Sequence, residues 1–132
     1  MHGKRLFCTI SIFLCALFSS RAQDLELMAV GYERIVFEGA SIAEVNDALR
    51  AKADCYKQLG RFADASGTLA RVRLFALTPG ERTELLYQQE LCSFLAGEFS
   101  QAASFVEEVG DDSADALLLH ALVLAYAGRY DE

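Results

Sequence analysis

Few side chains in this chain could carry out catalysis or bind a metal. The sequence contains two histidines and four cysteines, and His120 lies in an apolar stretch, Leu117–Leu124. A metal site needs several such ligands together, so we interpret His120 as a core or groove residue with one hydrogen-bond partner. Neither a Gly-x-Ser-x-Gly motif nor a glycine-rich phosphate loop occurs. These observations predict a protein that is not an enzyme and that has no metal site and no cofactor.

Two cysteines and three aspartates could still form a covalent link or a cation site. Cys55 and Cys92 should lie on neighbouring helices about 8–10 Å apart, whereas a disulfide needs Cα atoms within about 7 Å. We therefore expect two buried free thiols. Asp111, Asp112 and Asp115 lack the alternating ligand spacing of a calcium loop, and helix capping accounts for them.

Residues 1–22 have the pattern of a secretory signal peptide. A short basic segment precedes an apolar run from Leu6 to Phe18, and small residues flank Arg21 before a predicted cut after Ala22. An apolar helix of this length covers about 20 Å, less than the roughly 30 Å of a membrane core. The pattern predicts an exported protein, periplasmic or associated with the cell envelope. Only the signal sequence would contact the membrane.

Composition limits the remaining classes of function. The 132 residues are 53% hydrophobic, which is too apolar for a disordered chain and enough for one small domain. There are 12 Lys and Arg against 19 Asp and Glu, and this acidic balance argues against a nucleic-acid partner. The acidity is concentrated from Glu81 onward, where eleven acidic residues accompany two basic ones.

The spacing of apolar residues predicts helices throughout the rest of the chain. Apolar positions recur every three or four residues, which indicates one N-terminal helix within 23–40 and several more within 41–132. Ser41 and Thr78 are predicted N-caps, and Asp112 or Ser113 should cap the last helix. Helices are expected to end near the glycines, which are Gly39, Gly60, Gly97, Gly110 and Gly128.

One short sequence motif recurs along the chain. Gly60, Gly97 and Gly128 are each followed two residues later by an aromatic residue, and Ala65 and Ala102 complete the first two copies. The glycines are 37 and 31 residues apart, a period typical of helix-hairpin repeats. The aromatic residues Phe62 and Phe99 should be buried between paired helices, and the alanines should allow close approach.

These residues resemble the tetratricopeptide-repeat family over about residues 46–132. The first unit matches at Leu49, Ala53, Tyr56, Gly60, Phe62 and Ala65, whereas the second has Glu90 and Ser93 in place of the small residue and the tyrosine. The resemblance implies an all-α solenoid, a right-handed stack of antiparallel helix pairs, with the last repeat incomplete. An ordinary antiparallel bundle is the alternative.

The resemblance also implies a function. The first helices of such repeats line a concave groove that binds a protein or peptide, here at Arg50, Asp54, Lys57, Tyr87, Leu91, Phe94, Leu118 and Leu122. We therefore expect a non-catalytic interaction or scaffold module. The alternatives are the N-terminal structural part of a larger envelope protein, or an accessory domain of an enzyme whose catalytic part lies beyond Glu132. The helix from Ala114 to Ala127 is apolar on nearly every face, which indicates self-association or a fragment.

Overall fold

The computed structural model describes the backbone of residues 2–39 and 41–130, and the side chains of 19–39 and 41–128. All the regular elements within these residues are helical, so the all-α prediction is confirmed. The helices are α1 (His2–Glu38), α2 (Ile42–Gln58), α3 (Phe62–Leu69), α4 (Pro79–Leu95), α5 (Phe99–Ala103), α6 (Val106–Val109) and α7 (Ala114–Tyr130), and a 3₁₀ turn, Leu74–Ala76, precedes α4. Over the residues described, none of these helices is both long enough and apolar enough to cross a membrane.

Short polar side chains begin the helices, as the sequence predicts. The Oγ atom of Ser41 accepts a hydrogen bond from the Glu44 amide, and Thr78 forms a reciprocal capping box with Glu81. At α7 the cap is Ser113, whose Oγ accepts from the amide of Ala116 at 3.1 Å. Each cap satisfies an amide that has no partner inside its own helix.

Glycines close the helices α2 and α4, but a glycine does not close α7. Gly60 and Gly97 have φ angles of +74° and +81°, the left-handed conformation that closes α2 and α4. Gly128 lies inside α7, so the expectation that a helix ends there is wrong. A glycine in mid-helix costs only about 1 kcal/mol, and the alanines and leucines of α7 are strong helix formers.

Helices that follow one another along the chain pack against one another. The contacts run from α1 to α2, then to α3, to α4 and to α5, and α7 closes against α4 and α5. In the second hairpin, a turn at Ser104 and Phe105 separates α5 from α6. Ser104 Oγ donates to the Gln101 carbonyl at 2.6 Å, and such local bonds compete with a continuous helix.

The core repeats the same positions in both hairpins. Ala65 and Ala102 are fully buried, which agrees with close approach of the paired helices. Phe62 and Phe99 also occupy matching positions, but both are only half-buried, because each is the first residue of its helix. The expectation that these two rings are buried is therefore wrong. The fully buried positions between the paired helices belong to the two alanines.

Ion pairs attach α1 to the helices that follow it. Glu33 accepts hydrogen bonds from Arg71 at 2.9 and 3.0 Å and from Lys52 at 2.8 Å. The hydrogen bonds from Arg71, which have the larger effect, and from Lys52 lower the pKa of Glu33 to about 2. Glu33 therefore stays ionised at neutral pH and bridges α1, α2 and the segment after α3.

Candidate functional site

A cleft between α2 and α4 brings together the three charged residues that the sequence assigned to a groove. Arg50, Asp54 and Lys57 line this cleft, which we call the charged cleft and which has a volume of about 480 Å³. The opposite wall comes from α4 and includes Glu84 and Gln88. The helical spacing of these residues places their side chains on one face of α2.

A second cleft lies between α4 and α7 and has a volume of about 490 Å³. Tyr87 lines it, together with Val109 and Ala116, and we call it the acidic cleft. Gly80 and Glu84 line both clefts, so the two openings adjoin along α4. Residues of α2, α4 and α7 therefore border one row of clefts.

The other four predicted groove residues divide into two groups. Leu91 and Phe94 are half-buried and pack against the cluster of Ala102, Leu119 and Val123, so they contribute more to the core than the sequence suggested. Leu118 and Leu122 are 64% and 41% exposed on α7. The structure thus provides charged residues on α2 and uncovered leucines on α7.

Both cations of the charged cleft already have partners. Arg50 lies 3.4 Å from Glu81 and 3.6 Å from Asp47, and Lys57 lies 2.8 Å from Asp54. These pairs are partly exposed, so water screens them and each contributes little to stability. Because internal carboxylates occupy the cations, this cleft offers little net positive charge to an anionic ligand.

The acidic cleft carries an uncompensated negative rim. Glu84, Asp112 and Asp115 surround it, and none of the residues lining it is basic. Burial raises the pKa of Tyr87, and the nearby carboxylates of Asp115 and Glu84 raise it further. An apolar floor beneath acidic groups suits a basic side chain, whose aliphatic stem can lie on Val109.

His120 lies between two carboxylates instead of having one hydrogen-bond partner. Its Nδ1 donates to Asp111 Oδ1 at 3.1 Å, and its Nε2 is 3.1 Å from Glu90 Oε2. Asp111 is exposed, whereas Glu90 and His120 are buried. The Nε2 contact does not have the geometry of a hydrogen bond, and neither Glu90 oxygen has a hydrogen-bond partner among the residues described here.

Burial raises the pKa of Glu90, and the nearby imidazole of His120 partly offsets that rise. Glu90 lies on α4, 37 residues after the equally buried Ala53, and its carboxylate faces His120 of α7. In the sequence, Glu90 departs from the repeat pattern and His120 lies in an apolar stretch, and no motif connects the two residues. An acid at a position expected to be small, and the one histidine of residues 23–132, are the two signals in the sequence that could have been paired.

Among the described residues, no group of histidine, cysteine and acidic side chains is arranged to hold a metal ion. Asp111 and Glu90 lie at opposite nitrogens of His120, so they do not converge on a shared point. Cys55 and Cys92 are buried free thiols, as the helix spacing predicted. Burial is the main cause that raises the pKa of both, which keeps the thiols protonated and unreactive.

A third cleft, between α1 and α2, was not anticipated. Its volume is about 520 Å³ and its floor includes Tyr56, with Lys52 and Arg61 at 5.5 and 4.7 Å from the ring centroid. Glu33 engages Lys52, and Asp64 engages Arg61, so these cations are neutralised within the fold.

No known protein family, no curated protein and no solved structure was found to match this chain. The clefts, their charges and the repeat register are therefore the basis for a functional proposal.

Proposed function

We propose that this chain is an exported helix-hairpin repeat protein, similar to tetratricopeptide repeats, that binds an extended segment of another protein and does not catalyse a reaction. The observation that carries the proposal is the row of adjoining clefts along α2, α4 and α7. Stacked repeat helices of this kind form an extended concave surface to which a partner can bind.

The positions that are buried support a repeated unit. Leu49 and Leu86 are both buried, and the same holds for Ala53 and Glu90, which are also 37 residues apart. Cys55 and Cys92 are likewise 37 residues apart, and each packs against residues of helices that precede its own. An ordinary bundle has no need of a fixed offset, so this agreement favours the repeat interpretation.

The charges of the groove favour a partner with basic and aliphatic residues. The acidic cleft can receive a lysine or arginine side chain, and Leu118 and Leu122 can receive an aliphatic one. A free C-terminal carboxylate is a poor fit, because Arg50 and Lys57 already engage internal carboxylates. The proposed ligand is therefore an internal, extended, basic segment.

A charge-reversal experiment tests this groove. Twelve-residue peptides selected from a displayed library should be enriched in lysine or arginine next to aliphatic residues. Replacing Glu84→Lys together with Asp115→Lys should weaken the selected peptides at least about tenfold, since like charges would then face each other. Fluorescence anisotropy at fixed ionic strength measures the change in Kd.

The matched control is Glu107→Lys with Glu108→Lys. This pair changes the net charge equally on α6, and neither residue lines the acidic cleft. The affinity should change less than about twofold, because salt weakens the electrostatic interaction of charges at this distance from the cleft. Equal weakening by both pairs, or selected peptides without basic residues, would rule out the proposed site.

The position of α1 is compatible with export. In the described core clusters, the α1 side chains that pack on later helices are Leu25, Ala29, Tyr32 and Val36. All of them follow the predicted cut after Ala22. A chain that begins at Gln23 would keep this packing, so the signal and the folded part can be separated.

Expressed with its natural export machinery, the protein should begin at Gln23. Intact-mass spectrometry of the exported product measures this directly. An Ala22→Leu variant removes the small residue that signal peptidase requires and should accumulate uncut. An exported product that retains Met1, or one cut elsewhere, would contradict the assignment.

A further inference from the structure

We propose that His120 positions the loop that forms one wall of the acidic cleft, and that it does so only while it shares an extra proton with Glu90. The loop is the segment 110–113 between α6 and α7, and three of its residues line the cleft: Gly110, Asp112 and Ser113. Loss of the proton releases the loop and weakens ligand binding. The effect on a ligand rests on the proposed function, whereas release of the loop can be measured without a ligand.

The contacts of His120 require one proton more than a neutral imidazole carries. Nδ1 lies 3.1 Å from Asp111 Oδ1, and Nε2 lies 3.1 Å from Glu90 Oε2. A neutral imidazole has a single N–H, so its other nitrogen would present a lone pair to a carboxylate. An additional proton, on Nε2 or on the Glu90 carboxyl, replaces that repulsion by attraction. Burial, which raises the pKa of Glu90, also favours retention of this proton.

The two carboxylates do not compete equally for the N–H that remains once the additional proton is lost. Glu90 is fully buried, whereas the side chain of Asp111 is 73% exposed and can be hydrated. A buried charge without a partner costs more free energy than an exposed one, so the N–H moves to Nε2, toward Glu90. Nδ1 then presents its lone pair to Asp111, and the Asp111 side chain turns into the solvent.

Release of Asp111 reaches the cleft because of how the rest of the loop is held. Gly110 has a φ angle of +74°, which favours glycine, and residues 111–113 lie outside the helices. Ser113 caps α7, so Asp112 lies between a glycine and a fixed cap. Without the Asp111 contact, Asp112 has a wider range of positions. A ligand cation must then order this carboxylate on binding, which lowers the affinity.

The ionisable groups around His120 come from the loop and from several helices. The helix α4 contributes Glu90 at Nε2, and its Glu84 and Tyr87 line the acidic cleft, as Asp115 of α7 does. The helix α5, which packs on α7, has no ionisable side chain, and the two glutamates of α6 are exposed. The contacts that depend on the additional proton are therefore those with Glu90 and Asp111.

Two effects of deprotonation on a basic ligand oppose each other. Loss of the proton makes the region more negative, which by itself favours a basic ligand. That charge lies on His120 and Glu90, which do not line the cleft, whereas Asp112 does. Coulomb energy falls with distance, so loss of the fixed Asp112 decides the direction. The affinity should fall as pH rises.

Nitrogen-15 NMR of the imidazole measures the change without a ligand. Nδ1 of His120 should carry a proton at about pH 5 and lose it by about pH 8.5, limits that span the range in which histidine ordinarily titrates. The heteronuclear NOE values of the Asp111 and Asp112 amides should decrease over the same range, as the loop is released. An Nδ1 that keeps its proton throughout, or a loop that is equally rigid at both limits, overturns the proposal.

Two amide variants separate the loop from the charge. Glu90→Gln can donate an N–H to Nε2 at every pH, so Nδ1 should keep its proton and the loop should stay fixed. Asp111→Asn can accept from Nδ1 or donate to it, so the loop should stay fixed while His120 and Glu90 still titrate. Circular dichroism should confirm that both variants are folded. A loop released with rising pH in Glu90→Gln, as in the wild type, overturns the proposal.

The selected twelve-residue peptide that binds most tightly is the ligand for fluorescence anisotropy. Its affinity for the wild-type protein should fall about fivefold from about pH 5 to about pH 8.5, at the lower end of the range for coupled sites. The affinity should not fall for either variant, and equal falls in all three proteins overturn the proposal. A library that yields no basic peptide would reject the proposed groove, and the NMR comparison would still decide whether the proton holds the loop.

Discussion

Replacing Leu49 by alanine should lower the free energy of unfolding by about 2–5 kcal/mol, the range for removing a buried leucine side chain. Leu49 is 1% exposed and packs in the cluster that joins α2, α3 and α4. The helices around it are fixed by Ala53 and Ala65 at close approach, so the cavity cannot easily collapse. Urea denaturation followed by circular dichroism measures the loss.

The same change at Leu117 is the matched control, because this residue occupies the corresponding place in α7. Leu117 is 51% exposed, so Leu117→Ala should cost less than about 0.5 kcal/mol, as surface changes do. Measurements belong at low protein concentration, where copies remain separate. Comparable losses at the two sites would show that Leu117 is covered in the folded monomer, contrary to its exposure in the structure.

Removing the imidazole in His120→Ala should cost about 3–5 kcal/mol at neutral pH, as leaving a buried carboxylate without its neighbouring partner does. Glu90 is fully buried, and the imidazole of His120 lies 3.1 Å from its carboxylate. Without the ring, the carboxylate must either remain charged in an apolar site or take up a proton. Thermal and urea denaturation measure the loss.

Acidification should reduce this penalty. Burial raises the pKa of Glu90 above its ordinary 4.5, so the folded state holds the proton to higher pH than the unfolded state does. The stability contributed by that protonation is present below pH about 4.5 and is lost as pH rises through the folded-state pKa. The cost of His120→Ala should therefore be smaller at pH 4 than at pH 7.

A double variant separates loss of charge pairing from loss of packing. Glu90→Met with His120→Phe replaces the pair by apolar groups of similar size, and such replacements are often neutral or stabilising by about 1–4 kcal/mol. The double variant should therefore be at least as stable as the wild type. If it were as unstable as His120→Ala, packing around the ring and not the buried charge would be responsible.

The sequence by itself determined the local structure of this protein. Caps at Ser41 and Thr78 and left-handed glycines at Gly60 and Gly97 depend on neighbouring residues, so they can be read directly from the chain. The recurrence of apolar residues every three or four positions predicted the helices. The recurring motif predicted that Ala65 and Ala102 lie where paired helices approach closely. The resemblance to helix-hairpin repeats assigned Arg50, Asp54 and Lys57 to a groove, and these three residues line one cleft.

Only the tertiary structure decided which of these residues meet. Glu90 and His120 are thirty residues apart on different helices, and their contact depends on how α7 settles against α4. The acidic cleft likewise needs the turn at Gly110 to bring Asp112 and Asp115 beside Tyr87. Helical periodicity defines a face but not its neighbour, because the distance and rotation between helices come from packing of side chains far apart in sequence.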